Sequence, residues 1–442
     1  VEQVAWDRLC RANSRDESVA LQCLIRLDDN IVTAANATTP DGESDAAGRN
    51  RTHEEMNPPQ LPIILALGTT QTLAWASSYY LPAILADPIG RDLGVSSNWI
   101  FAAFSASLVL SAILGPRIGR QIDLVGGRSV LCASNLTLAA GLVLLGFTYS
   151  IPVLVIAWLL LGVGMGMGLY DAAFGALGRI YGDAARRSIT GITLIAGFAS
   201  TVGWPLTALG LEHIGWRNTC FAWAAAHIVL GLPINFFMLP AVQGTKSAAA
   251  NAVKPHIPID RAMALLAFTF AAAWTVTGAM AAHFPRIMEA AGATPVQAIA
   301  AGALIGPAQV AARVVEAGFL SRYHPLVSTR LACITHPIGA IIVGIFGGAV
   351  AGVFAVFHGS GNGILTIARG TLPLAIFGSQ NYAYRLGLLG APSRMAQAAA
   401  PLAFGLLIDV LGSKVLIVSS ALSLAALAAL FFLSTRPASA ES

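Results

Sequence analysis

Charge is what this chain has least of. Of 442 residues only 11% are Asp, Glu, Lys or Arg, against 56% hydrophobic; ordinary soluble domains carry roughly 25% charged residues. The shortfall runs along almost the whole chain after about Leu61 and excludes a soluble globular fold. Its five cysteines, Cys10, Cys23, Cys132, Cys220 and Cys333, are scattered with no CxxC and no Cys/His cluster. Neither a disulfide framework nor a zinc site is expected. There is no embedded Ser/His/Asp set, no HExxH and no cluster of metal ligands, which argues against an enzyme and against any cofactor. No sizeable soluble domain is present to carry a receptor's signal. The net charge of +4 gives no reason to expect nucleic acid as a partner.

What is present is a series of apolar runs of about 20 residues, each long enough to cross a ~30 Å hydrocarbon core as a helix. They do not alternate in the short period of a membrane β-barrel. The fold class expected is an all-α membrane protein with the lipid bilayer as its surroundings. Six spans fall at about 61–85, 99–118, 129–147, 151–177, 188–211 and 220–239, and six more at about 262–288, 296–319, 331–348, 350–372, 392–411 and 415–433. The domain boundaries that follow are a six-helix half over 56–239, a polar linker over 240–261, a second half over 262–434 and a short tail over 435–442. Residues 1–55 differ from everything after them: polar, mixed in charge and without methionine. Two readings stand for that segment, a stretch translated upstream of a true start at Met56 or a disordered tail, and neither assigns it chemistry.

Basic residues are distributed unevenly between the loops. One set of loops holds Arg117, Arg120, Arg128, Arg179, Arg186, Arg187, Lys246, Lys254, Arg261, Arg322, Arg330, Arg385 and Arg394, and the opposite set only Arg91, Arg217, Arg286 and Lys414. This positive-inside bias predicts both termini in the cytoplasm, with the inner (cytoplasmic) membrane as the location. The halves also echo each other. WPLTALGLEHIG closes the fifth span at Gly215 and APLAFGLLIDVLG the eleventh at Gly412, while Gly115-Pro116 and Gly306-Pro307 mark the second and eighth. Such internal repeats are a mark of secondary transporters.

Between the second and third spans stands GRQIDLVGGR, spaced Gly119-x3-Asp123-x2-Gly126-Gly127-Arg128. This resembles the signature loop of the major facilitator superfamily, Gly-x3-Asp-x2-Gly-Arg-Arg/Lys, except that Gly127 replaces the first basic residue. The resemblance implies a twelve-helix fold of two six-helix pseudo-repeats and a monomer working by alternating access on a small-molecule substrate. It also implies a gating loop of Gly119, Asp123, Gly126 and Arg128, in which Asp123 accepts hydrogen bonds from a neighbouring helix N-terminus and pairs with an Arg. The second-half counterpart, Gly318-x3-Arg322, has Arg where Asp belongs, so that latch reads as degenerate.

Span four carries Gly162, Gly164, Gly166 and Gly168, two overlapping small-xxx-small spacings that allow close packing. It lacks the Arg that proton-coupled drug exporters of the superfamily carry there. The segments after it, RIYGDAARR and GWRNTC, resemble bacterial members of the monocarboxylate/oxalate branch. That likeness implies an anion-binding Arg in the eighth helix, which here is Arg313. Gln309 stands where carboxylate–proton symporters place an Asp. No Lys or Arg is expected in span one or deep in span eleven, so the anion reading rests on Arg313. Against it stand two bland readings, snorkelling to the surface and a same-face pair with Glu316. The candidate substrate-binding set is Arg313, Gln309, Tyr79, His358 and Asn362, with protons as a possible coupling ion through a histidine such as His358, ahead of His283 and His336. Gln71, Tyr80, Tyr170 and Asp171 are further polar groups inside spans, and Trp75 and Trp274 are candidates to line a cavity. The function expected is transport of a small organic anion by proton symport or exchange; export of an amphipathic metabolite or drug is the alternative.

Overall fold

The computed structural model describes residues 58–241 and 257–433. The proposed 1–55 extension, most of the 240–261 linker and the 435–442 tail lie outside the described residues.

Among the described residues the structure is helical throughout, with no strand. In lipid every backbone N–H and C=O must be satisfied within the segment, and a helix does this for an apolar run without outside partners. Grouped at their breaks and reversals, the helices form twelve rods. In the first half these are α1 (Gln60–Ala74, a π-turn Trp75–Tyr79, then Pro82–Leu93), α2 (Asn98–Val125), α3 (Gly127–Gly146) and α4 (Ile151–Gly168 and Tyr170–Tyr181). Next come α5 (Arg186–Ala196, running on into Ala199–Ala226 as far as Gly215) and α6 (from Gly215 through His227–Gly231 to Leu232–Met238). The second half contains α7 (Arg261–Ala290), α8 (Pro295–Ala303 and Ile305–Gly318), α9 (Pro325–Phe346), α10 (Ala351–Phe377), α11 (Tyr382–Leu411) and α12 (Val415–Phe431).

Among the described residues seven helical stretches, some of them with internal breaks, are long and apolar enough to cross a membrane; the longest, Ile151–Met238, has 88 residues. At 1.5 Å per residue that is over four bilayer cores, so it holds several crossings folded back on themselves. The eleventh rod starts at Tyr382, ten residues before the 392 expected from hydropathy. Arg385 and Arg394 depress the local hydropathy but do not break the helix.

The breaks have local causes. Pro307 would clash with the carbonyl four residues back, and α8 is interrupted there, after Ala303. Pro82 likewise removes the bond to Ser78, inside the π-turn of α1. The repeated closing glycines both have positive φ, Gly215 at 78° and Gly412 at 55°, with open space where a Cβ would stand. Left-handed φ, not packing, is what requires glycine at both reversals. The four glycines of α4 divide between two neighbours: Gly162 and Gly166 lie on Ser107 and Ser111 of α2, Gly164 and Gly168 on Leu138 and Ser134 of α3.

One buried apolar cluster crosses between the halves. It joins Ile122, Phe174, Leu177 and Ile189 of the first half to Leu374, Tyr382, Ala383 and Leu386 of the second. It sits at the end of the bundle that carries Asp123. At the other end the buried residues of the clusters around Trp158 and Phe354 each come from one half, with the partly buried Ala398 of α11 packed against the first of them. The halves are therefore closed on each other at the Asp123 end.

Candidate functional site

The seam between the halves holds several polar constellations, of which two centre on a carboxylate of the first half, Asp123 and Asp171. The first is the loop read from its spacing. Asp123 ends the last turn of α2 and reaches the first turn of α11, where Ala383 N–H donates to Oδ1 at 3.1 Å and Tyr384 N–H to Oδ2 at 2.7 Å. These are amide groups that a helix N-terminus leaves without intrahelical partners, and a carboxylate suits the positive end of the helix dipole. Gly119 lets this happen: a Cβ there would run into the Ala383 carbonyl. Gly126 turns the chain at φ 85°, and Arg128 stacks on the Phe236 ring at 4.2 Å. Gly127, the departure from the family pattern, lies against Ala176 of α4, where any side chain would collide.

The second-half counterpart is not empty. Glu316, at the end of α8, is buried and pairs at 3.7 Å with Arg186 at the start of α5. It joins the end of the eighth rod to the start of the fifth, as Asp123 joins the second to the eleventh. The bland alternative, a same-helix pair of Arg313 with Glu316, is not formed: the partner of Glu316 is in the other half.

Arg313 is only 4% exposed, so the snorkelling reading does not hold either. Its Nη1 donates across the seam to the Thr193 carbonyl at 3.0 Å, at the end of the Arg186–Ala196 arm, where a cation meets the negative end of the dipole. Its Nε faces the Gly363 carbonyl and its Nη2 the Gln309 amide oxygen, both at 3.4 Å. Tyr80 and Tyr170 lie within its electrostatic reach. They belong to an aromatic group centred on Trp75, whose ring lies 5.1 Å from Tyr79, 6.0 Å from Tyr80 and 4.9 Å from Tyr170. The Tyr79 hydroxyl accepts from Gln397 of α11 at 2.6 Å, another bond across the seam.

The second constellation was not foreseen. Asp171 opens the second arm of α4, just past the break at Leu169, where Gln71 donates to the Gly168 carbonyl at 2.5 Å. Arg369 of α10 grips it with both prongs, Nε to Oδ1 and Nη2 to Oδ2, each at 2.7 Å. Arg394 of α11 adds Nη2 to Oδ2 at 2.6 Å. All three side chains are less than a tenth exposed. Arg369 also lies over the Trp274 ring at 4.7 Å. Arg394, counted with the basic loops from sequence, lies buried inside α11, so the eleventh rod does carry a deep cation.

His358 and Asn362 do not join these groups. They line a small, water-sized pocket inside the second half, among α7, α9, α10 and α12. There His358 Nδ1 meets His336 Nδ1 at 3.0 Å, His336 Nε2 meets Ser419 at 2.9 Å, and Asn362 accepts from Thr277 at 3.0 Å. His283 faces the Pro401 carbonyl at 2.7 Å. Among the described residues no group of three or more His, Cys, Asp and Glu is arranged to hold a metal.

A bundle of helical rods whose halves meet along a seam of buried arginines and carboxylates defines a class of membrane carrier. The chain belongs to the Major Facilitator Superfamily, whose sequence profile matches residues 67–368. Over 165 residues it is 33% identical to the facilitated glucose transporter member 10 of solute carrier family 2 from Mus musculus, covering 35% of this chain and 28% of that protein. Over 229 residues it is 25% identical to the vacuolar basic amino acid transporter 1 of Saccharomyces cerevisiae, covering 51% and 38%. The chain thus matches well under half the length of these curated relatives. Among solved structures it resembles the human organic anion transporter MFSD10 (TETRAN), with a TM-score of 0.68 and 14% identity over 84% of this chain and 100% of that one. At that identity the likeness is one of fold. The relatives are named as transporters, not enzymes.

Proposed function

We propose that the chain is a secondary transporter that moves a small organic anion by alternating access, as bacterial monocarboxylate carriers do. The observation that carries this is the charge of the seam. Arg313, Arg369 and Arg394 are buried there and, among the described residues, only Asp171 neutralises them, since Glu316 is taken by Arg186. A cation inside a span costs about 2.5–3.5 kcal/mol on insertion scales, so three in one seam call for a counter-charge. An anionic substrate supplies it; a cationic one would be repelled. Arg313 with Gln309 is the anion site, and the aromatic group of Trp75, Tyr79, Tyr80 and Tyr170 receives an apolar or planar body.

Asp123, with Gly119, Gly126 and Arg128, latches the Arg-rich end, which we place in the cytoplasm with both termini. The arrangement of surface charge supports this. Opposite that end basic residues are fewer, and Arg217 and Arg286 are each paired with an acid, Asp92 and Asp409. The protein then works as a monomer in the inner membrane. Where the cycle is proton-coupled, the His336–His358 pair, beside Asn362, is the group suited to take the proton. Uptake of a panel of labelled carboxylates into proteoliposomes, with and without a pH gradient, tests the reading. Carboxylate uptake supports it, with gradient dependence marking symport and independence marking exchange. Uptake of sugars or basic amino acids in place of carboxylates refutes it.

A further inference from the structure

Resting on that reading, we infer that Asp171 is an internal stand-in for the substrate's carboxylate: an arriving anion takes its place on Arg394 and Arg369, and this releases the halves from each other. Asp171 belongs to the first half and both arginines to the second, so one carboxylate ties the seam. The tie is unequal. Arg369 spends both prongs on Asp171 and its face on Trp274. Arg394 has one short contact to Asp171 at 2.6 Å and beyond it only a long one to the Ser111 carbonyl at 3.4 Å. Its fork is the one with capacity left, and a planar two-pronged fork matches a carboxylate.

A narrow gap between the halves, too small for more than a water, is lined by Asp171 and Arg394 and walled by Gly115, Gly119, Gly166 and Gly387. Two guanidinium groups against one carboxylate leave a net positive charge there, which draws in a second carboxylate as the halves begin to part.

The energetic logic needs no remote coupling. A ligand shifts a two-state carrier only by its differential affinity for the states. In the closed state the arginines are occupied by Asp171; in the separated state they are free. A carboxylate therefore binds the separated state better. Without it, separation would strand two buried arginines without a partner, which is strongly disfavoured. The empty carrier stays shut, and the substrate makes its own way through.

The test uses full-length protein with its five cysteines replaced by alanine and one reporter, Ile122→Cys, at a fully buried position lining the same gap. Maleimide labelling reads opening of the Arg-rich end. With the wild-type Asp171, labelling is expected to be slow and to rise several-fold, saturably, with benzoate or acetate. Asp171→Asn is expected to label several-fold faster with no anion and to gain little from one. Asp171→Ala, which also removes the tethered carboxylate, is expected to label several-fold faster with no anion and to stay fast with formate. Slow labelling of folded Asp171→Asn without anion overturns the inference, as does slow labelling of folded Asp171→Ala without anion. If Asp171→Asn does not fold, the Asp171-containing protein decides: carboxylates that shift its melting temperature yet leave labelling slow overturn the lock. If no carboxylate shifts that melting temperature while Asp171→Asn still opens unaided, the lock stands and the anion reading falls.

Discussion

Tyr384 N–H points at the carboxylate of Asp123, 2.7 Å away, although the two residues are 261 positions apart and in opposite halves. The bond caps the N-terminus of α11 with a side chain from α2. Hydrogen bonds to charged groups contribute roughly 1.5–3 kcal/mol each, and this carboxylate accepts two. Asp123→Asn keeps the shape, removes the charge and turns one acceptor into a donor facing N–H groups. We expect normal expression, transport cut several-fold and a faster-reacting cysteine at Ile122. A loop that only fixed topology would leave both measurements unchanged.

Gly127 gives a test in the opposite direction. The family pattern has a basic residue at this position, so Gly127→Arg restores the pattern on paper. In the structure the side chain would enter the contact with Ala176. Overpacking a close contact costs roughly 1–3 kcal/mol. Gly127→Arg should lower the melting temperature in detergent, while Arg128→Lys should leave it nearly unchanged. A Gly127→Arg protein as stable as the parent would show that the first turn of α3 is loosely held.

Arg313 and Glu316 separate cleanly now that each has its own partner. Arg313→Lys keeps the charge but loses the fork that reaches Thr193, Gly363 and Gln309 together. Its carboxylate affinity should drop about tenfold, roughly 1.4 kcal/mol. Arg313→Gln should nearly abolish binding with the protein still in the membrane. Glu316→Gln should leave affinity close to normal and change the rate of opening, because it loosens only the tie to Arg186. Equal losses of affinity in Arg313→Gln and Glu316→Gln would place the effect in closure of the seam, not in anion binding.

The parts of this structure that were legible in the sequence are those written in local spacing. Gly119, Asp123 and Gly126 lie within eight residues, and their contacts follow from one turn and one facing helix. The α4 glycines announce two close faces by their period, and both faces are used. Arg313 stood out because it interrupts an apolar run. The triad of Asp171, Arg369 and Arg394 did not stand out, and its cause is distance: Asp171 and Arg369 are 198 positions apart. Arg369 is diluted by the long apolar run of α10, and Arg394 stands only two residues into the span that hydropathy starts at 392, so it counts with the basic loop until the helix is seen to begin at Tyr382. The signal available was the set of ionisable residues within spans, one acid and two bases, weighed together. His358 and Asn362 share α10 with Arg369, and one helix presents different faces to different cavities; spacing alone gave no way to tell which face meets the seam.

The central claim is that the buried arginines of the seam exist for an anion. It is tested most directly by counterflow in proteoliposomes loaded with unlabelled carboxylate, following entry of the same labelled compound while competitors are added outside. The account predicts rapid counterflow that other carboxylates compete away, that lysine and glucose leave untouched, and that Arg313→Gln abolishes. Counterflow driven by lysine or glucose, with no response to any carboxylate and none to Arg313→Gln, would contradict it.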